Sequence, residues 1–252
     1  MTDARNIEKT FDFSRYDYLD FGCSNGNSID FGAVQFGGHT GLGIDIDPEK
    51  IATAQNRIKN NIIPSRHGAI CADLIDLHQH LPSRQFRFVT CIHFMEHLPG
   101  FRTVQQILYS AAHVSREFVF AVQPNADRSQ YLFEQGLKTY YSDWTCHTAL
   151  LTSYDFYRLC KNFQLGGVIK DFVIYKNRPV LDSSDPCIHP LASPKNQHDY
   201  DPNVHPAKEE GLILDNVYQE IGLFMLRSNV PVEKYLKTVS PNAVIIYDSR
   251  EH

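Results

Sequence analysis

The sequence predicts an α/β domain, a mostly parallel β-sheet with helices on both faces. Three observations lead there. Short apolar runs alternate with stretches of helical apolar spacing through the first half of the chain, the rhythm of strand–helix–strand units. The first of these runs passes directly into a glycine-rich turn and a helix start. A later run, residues 86–92 (FRFVTCI), is apolar enough to be a strand buried on both faces.

Residues 16–21 (YDYLDF) read as a short aromatic and apolar strand that runs into the turn Gly22-Cys23-Ser24-Asn25-Gly26. Residues 39–45 give a second strand, ending in Asp45-Ile46-Asp47-Pro48. Proline suits the first turn of a helix, because its φ is already helical and its missing N–H has no partner there. Pro48 therefore opens a helix over residues 48–60, in which Ile51, Ala54 and Ile58 share one face. A third strand at 67–72 and the fourth at 86–92 complete the order β-α-β-α-β-α-β. Val104, Ile107, Leu108 and Ala111 set a helix over 99–114, and strand 117–122 follows, stopping at Gln123-Pro124-Asn125.

Beyond that point the rhythm changes. Residues 123–150 are aromatic-rich and irregular; then Thr152 or Ser153 caps a helix to about Phe163, followed by Gly166-Gly167. A strand pair is expected at 168–176 and 216–227. Between them, residues 177–211 are rich in Pro, Asp, Asn and His, and a connection this long inside a compact domain is usually functional or mobile. The organisation expected is one domain over residues 1–252, with its core at about 16–176 and 212–228, an insertion at 177–211 and a C-terminal tail at 229–252.

At 252 residues the chain can bury one sizeable core, and 42% hydrophobic with 21% charged residues is ordinary globular usage, against disorder. The net charge of -5 offers no broad basic surface, so no nucleic-acid partner is expected. No apolar run approaches the ~20 residues that span a bilayer, and MTDARNIEKTFDFSR lacks the apolar stretch of a secretory signal. A cytoplasmic protein without membrane attachment is the expectation. The six cysteines are scattered, as buried free thiols are. Cys187, His189, His198 and His205 supply metal-ligand types in one region, but their spacing fits no standard zinc pattern, and no metal is expected.

The chemistry resides in the turn after the first strand and in the ends of the strands beyond it. A glycine-rich turn after a strand lets backbone approach a ligand and aims the N–H groups of a helix start at it. Gly22, Ser24 and Gly26 alone are weak evidence. Asp45, at the end of the next strand, strengthens them, because an acid there can hydrogen-bond both hydroxyls of a ribose. LDFGCSNGNSI (19–29) and GLGIDIDPEKIATA (41–54) resemble the first two motifs of the class I S-adenosylmethionine-dependent methyltransferases. ICADLIDL (70–77) and FRFVTCIHFMEHLPG (86–100) resemble the third and fourth, the latter in its small-molecule form. HTALLTSYDFYRLCKNF (147–163) is a weaker echo of the family's later histidine loop and helix.

The resemblance implies a Rossmann-like fold with a seven-stranded, mostly parallel sheet whose last strand is antiparallel. It implies S-adenosylmethionine as cofactor and S-adenosylhomocysteine as product. Gly22, Ser24 and Gly26 are then assigned to the methionine end, with Asp20 orienting the loop or the cofactor's amino group. Asp45 and the adjoining Ile46 fall to the ribose, and Asp73 and Leu74 to the adenine. Asp45 and Asp73 each have an alternative reading as a helix cap, and Asp47 is the better cap of the pair before Pro48. His93, just past the fourth strand, could touch cofactor or substrate. Ser24 stands where many members have glycine, and the few residues before the first strand imply a short or missing N-terminal helical lid.

Methyl transfer from a sulfonium needs a collinear acceptor, and a hydroxyl acceptor also needs a base, a task suited to histidine near neutral pH. His147 is the first candidate and His93 the second; His147 reads equally as a loop histidine bonded to backbone. Tyr140, Tyr141 and Trp144 form an aromatic wall over the acceptor or cover the sheet edge. Glu96 and His97 are expected to brace their loop. The function expected is methylation of a small molecule, at the oxygen of a metabolite or sugar-like precursor. The alternatives are N-methylation and a non-catalytic scaffold of the same fold, and a homodimer is compatible with the sequence. A nicotinamide dinucleotide is disfavoured because position 27 is Asn27, not the third glycine of its fingerprint.

Overall fold

The structure, a computed structural model, describes residues 11–251; the N-terminal lid region expected to be short falls largely outside these residues. β1 (Tyr18–Phe21) leads through the glycine turn to the short helix α1 (Phe31–Phe36), then β2 (Gly41–Asp45) and α2 (Pro48–Lys59). β3 (Gly68–Cys71), β4 (Phe86–Ile92), α3 (Phe101–Val114) and β5 (Ser115–Pro124) come next. These five strands are parallel, in the order β3-β2-β1-β4-β5. The helix expected between β3 and β4 is replaced, among the described residues, by a single 3-10 turn at Leu77–Gln79. The cause is local: Asp73 bends the chain back on itself, its carboxylate accepting from the Ile75 N–H, and Pro82 stops the turn from extending toward β4.

After β5 come α4 (Ser129–Glu134), β6 (Leu137–Thr139), α5 (Ser153–Leu165), β7 (Asp171–Asp182), β8 (Ile188–Pro190) and β9 (Ile213–Leu226). Thr152 caps α5 in a reciprocal capping box with Asp155. β9 slots between β5 and β7 and is antiparallel to both. The tail then supplies α6 (Val232–Val239) and β10 (Val244–Asp248), which pairs antiparallel with β7 and makes the sheet eight-stranded rather than seven-stranded. β7 and β9 are longer than expected because they continue as a ribbon past the sheet. There β10 no longer covers β7, so Pro179 meets no demand for its missing N–H on the open side. The ribbon packs Val180, Leu214 and Val217 with Cys187 and Ile188 of the β6/β8 region into a small satellite core. Much of the 177–211 segment is thus anchored, and it stands over the carboxyl edge of the parallel strands.

The sheet buries a different surface on each side. One face carries an aliphatic core under α3 and α5. The other is aromatic: Tyr18 stacks on Phe88 at 4.8 Å, Phe88 on Phe118 at 5.1 Å, and Phe36 of α1 sets its edge against Phe118 at 5.2 Å. Such pairs add about 0.5–1.5 kcal/mol each beyond burial. They hold α1, only six residues long, at the place where the glycine turn needs it.

Candidate active site

β1 ends at a turn that only certain residues can make. Gly22 sits at φ +69°, and a side chain there would collide with the Phe94 ring. Ser24 also takes a left-handed conformation, at φ +48°, and its N–H donates to Asp45 Oδ2 over 2.8 Å. Asp45 Oδ1 accepts from the Asp47 N–H at 3.0 Å, so one carboxylate ties the first turn to the end of β2. A carboxylate has about four acceptor positions, and two remain. Capping of α2 belongs to Asp47, which accepts from the Glu49 and Lys50 N–H groups.

Two of the motif residues face inward. Gly26, at φ +88°, does not line the cleft; a methyl there would lie 2.6 Å from Ile63 Cδ1 and 3.1 Å from Ala54 Cβ, so the glycine allows α2 to close on the turn. Asp20 is fully buried and does not line the cleft either. Its carboxylate accepts from Ser28 Oγ at 2.6 Å and Thr90 Oγ1 at 2.7 Å, fastening the far side of the turn to β1 and β4. Burial pushes Asp20 up to about 6, against the downward pull of those two hydrogen bonds.

A cleft of about 900 Å³ opens at the carboxyl edge of β1, β2 and β4. Gly22, Ser24, Asp45, Ile46, Asp73, Leu74 and His93 all line it, with an apolar wall from Phe94, Leu98, Pro99 and Ile107. Open α/β sheets bind ligands at this edge.

A second cavity, of about 350 Å³, adjoins the first, and His93 and His97 line both. Tyr140, Tyr141, Trp144 and His147 contribute one side. Tyr141 is buried, with its hydroxyl donating to the Asn125 carbonyl at 3.0 Å, while Trp144 stacks on His147 at 5.9 Å. His198 packs against Tyr140 and Trp144 on that side, and the lining also holds three residues not foreseen from the sequence: Arg178, Gln219 and Glu220. A signal existed for two of them, since Gln219-Glu220 directly precedes the apolar run Ile221–Leu226 in β9.

The two histidines proposed as bases differ sharply. His93 is held at φ +47°, its Nε2 3.3 Å from Glu220 Oε1 and its Nδ1 3.5 Å from Glu96 Oε1. Burial alone would lower its pKa, but hydrogen bonds to Glu220 and Glu96 raise it to about 9. The raised value favours the protonated ring at neutral pH, a form that donates hydrogen bonds. Burial would raise the Glu220 carboxyl, yet His93 and Arg178 hold it below the usual range. His147 is the opposite case: burial lowers its pKa, and Nδ1 lies 3.1 Å from the Tyr141 carbonyl. A carbonyl can only accept, so Nδ1 carries the proton and Nε2 keeps its lone pair.

A methyltransferase-domain family model matches residues 19–117, the segment that builds the larger cleft. Over that segment the chain is similar to methyltransferase domains. Two solved structures share the fold of this chain at low sequence identity. One is a SAM-dependent methyltransferase from Archaeoglobus fulgidus, with a TM-score of 0.54 and 14% identity, covering 88% of this chain and 92% of that one. The other, from Methanosarcina mazei, has a TM-score of 0.50 and 13% identity, covering 88% of this chain and 98% of that one. No curated protein matches the chain. Among the described residues, no helix is long and apolar enough to cross a membrane.

Proposed function

We propose that this chain methylates a small molecule bound in the 350 Å³ cavity, at the oxygen of a metabolite or sugar-like precursor, with S-adenosylmethionine in the 900 Å³ cleft. The observation that carries the reading is the shared wall: the two cavities meet at His93 and His97, and the neutral His147 lines the smaller one. A cavity of that size suits a metabolite and is far too small for a folded macromolecule.

In this reading Gly22 and Ser24 take the methionine end of the cofactor. Asp45, using its two remaining acceptor positions, and Ile46 hold the ribose. Asp73, with one carboxylate oxygen engaged on Ile75, offers the other to the adenine amine, and Leu74 packs on the ring. Asp20 and Gly26 act from behind, one fastening the turn and one letting it close. His147 removes the acceptor proton through Nε2 as the acceptor oxygen attacks the methyl carbon. S-adenosylmethionine, when bound, would supply the methyl group and leave as S-adenosylhomocysteine. His93, a cation paired with Glu220, orients an oxygen of the acceptor by donating to it.

Calorimetry with S-adenosylmethionine and S-adenosylhomocysteine tests the cleft, and an acceptor library of alcohols, phenols and amines, read by transfer of labelled methyl, tests the cavity. Absence of binding by either cofactor form overturns the whole reading. Cofactor binding with label transferred only to amines overturns the oxygen assignment, and no transfer at all supports a non-catalytic scaffold.

A further inference from the structure

His97, Cys146 and His147 converge at the seam between the two cavities. Each offers one ligand atom, and the three atoms lie within 4.8 Å of one another. Both rings are already oriented for a ligand's role. His97 Nδ1 is 3.2 Å from the Cys146 carbonyl, and His147 Nδ1 is 3.1 Å from the Tyr141 carbonyl. In the neutral rings each Nδ1 is therefore the donor, and each Nε2 is left with a lone pair. Metal-bound histidines are anchored in this manner, through the second ring nitrogen, which fixes their tautomer before the ion arrives. Cys146 is exposed, whereas Cys23, Cys91, Cys160 and Cys187 are buried. His97 lines both cavities, Cys146 the larger and His147 the smaller.

We propose that His97, Cys146 and His147 form a three-ligand site for a divalent cation of the zinc class, with a fourth position open to the acceptor. Two imidazoles and a thiolate are the donors zinc prefers, whereas magnesium, calcium and manganese require oxygen. Tetrahedral zinc with bonds of about 2.0–2.3 Å needs its ligand atoms roughly 3.5 Å apart. The three groups must therefore draw in by about 1 Å, a shift that side-chain rotation of exposed His97 and Cys146 toward the partly buried His147 can supply. Three protein ligands with one position free is the pattern of catalytic rather than structural zinc. The existence of the site does not depend on the acceptor reading, but its role rests on it. A hydroxyl or thiol at the open position loses its proton to water far more readily than when free, and binds as an anion. With the ion bound, the His147 lone pair serves the metal, and the metal replaces the histidine as the agent that ionises the acceptor. Sequence spacing hid the site, because His97 lies 49 residues before the adjacent Cys146-His147 pair.

The test uses the full chain stripped with a chelator and titrated with cobalt(II) alone. One equivalent produces a thiolate-to-cobalt charge-transfer band, which zinc displaces and magnesium does not. Cys146→Ser removes the band, and His97→Asn or His147→Asn weakens metal affinity at least tenfold. Without any substitution, zinc slows alkylation of Cys146 at least tenfold, read by mass spectrometry of its peptide. A band that persists in C146S, or an alkylation rate indifferent to zinc, overturns the site. Cofactor calorimetry on the same preparation separates the two readings: metal binding without cofactor binding leaves this site standing and removes the reading of the cleft, while cofactor binding without the cobalt signature does the reverse.

Discussion

Glu220→Gln isolates the interaction that makes His93 a cation. The substitution keeps the side-chain shape and removes the charge 3.3 Å from Nε2. His93 titrates at about 9 instead of the ordinary 6.5, because hydrogen bonds and charge from Glu220 and Glu96 outweigh burial. An opposite charge at this range shifts a group by about 1–3 units, so losing one of two carboxylates should bring His93 down by about 1–2 units. A histidine whose folded pKa is raised contributes its full stability below its unfolded value and loses that contribution as pH rises through the folded value. The wild-type protein should therefore lose stability between pH 6.5 and about 9, and E220Q should lack most of that slope. Its destabilisation relative to wild type should be larger at the acid end of the window than above it. Because His93 is half-exposed, the change should remain modest at any pH. NMR titration of the histidine rings, with His93→Asn for assignment, reads the pKa, and thermal unfolding across the same range reads the slope. A His93 pKa that is ordinary in the wild type, or unmoved in E220Q, refutes the reasoning.

The same geometry sets further outcomes. Gly22→Ala forces a left-handed residue against Phe94 and should cost at least about 1–2 kcal/mol of stability; a thermal melt matching wild type would contradict it. Asp45→Ala removes the Ser24 tie along with the proposed ribose contact, and should weaken cofactor binding by more than about 1 kcal/mol, with unchanged calorimetric affinity counting against the assignment. His147→Asn should lower kcat by about 10²–10⁴ with little change in cofactor affinity. Because burial lowers the His147 pKa, the acid limb of the wild-type kcat profile should lie below the ordinary histidine value of 6.5 when no metal is bound. Thr152→Ala breaks the capping box of α5 and should cost about 1 kcal/mol, visible in denaturant unfolding but not in cofactor affinity.

What the sequence disclosed was local. β4 was read with its bounds intact because an apolar run needs no information beyond itself, and α2 because Pro48 announces a helix start. Ser24, Asp45 and Asp73 were visible as members of spaced motifs. Less visible was the direction a motif residue faces: Gly26 and Asp20 occupy expected positions, yet both turn toward the protein, one to admit α2 and one to grip Ser28 and Thr90. The smaller cavity was the hardest to foresee. Arg178 and Glu220 come together only because β7 and β9 pair in a register that sets Asn177 opposite Glu220. The segment from 177 read as a connection because of its Pro, Asp, Asn and His content, and the open edge of the ribbon that tolerates Pro179 is a property of the assembled sheet. The eighth strand escaped for a similar reason, since Val244–Asp248 finds a partner only in the edge that β7 presents.

A histidine that lines two rooms at once makes each room sensitive to the contents of the other. S-adenosylmethionine carries a permanent positive charge at sulfur and its product carries none. With the donor in the cleft, as proposed, that charge would disfavour the proton on His93; once the methyl has left, the opposition would disappear. His93 should accordingly hold its proton more tightly in the product complex than in the donor complex, and turnover should shift the protonation of the wall between them. Linkage makes the effect reciprocal: an acceptor that prefers the protonated ring should favour bound product over bound donor by the same factor. Such an acceptor would act as its own inhibitor by retaining S-adenosylhomocysteine, a behaviour written into one residue at φ +47° between two carboxylates.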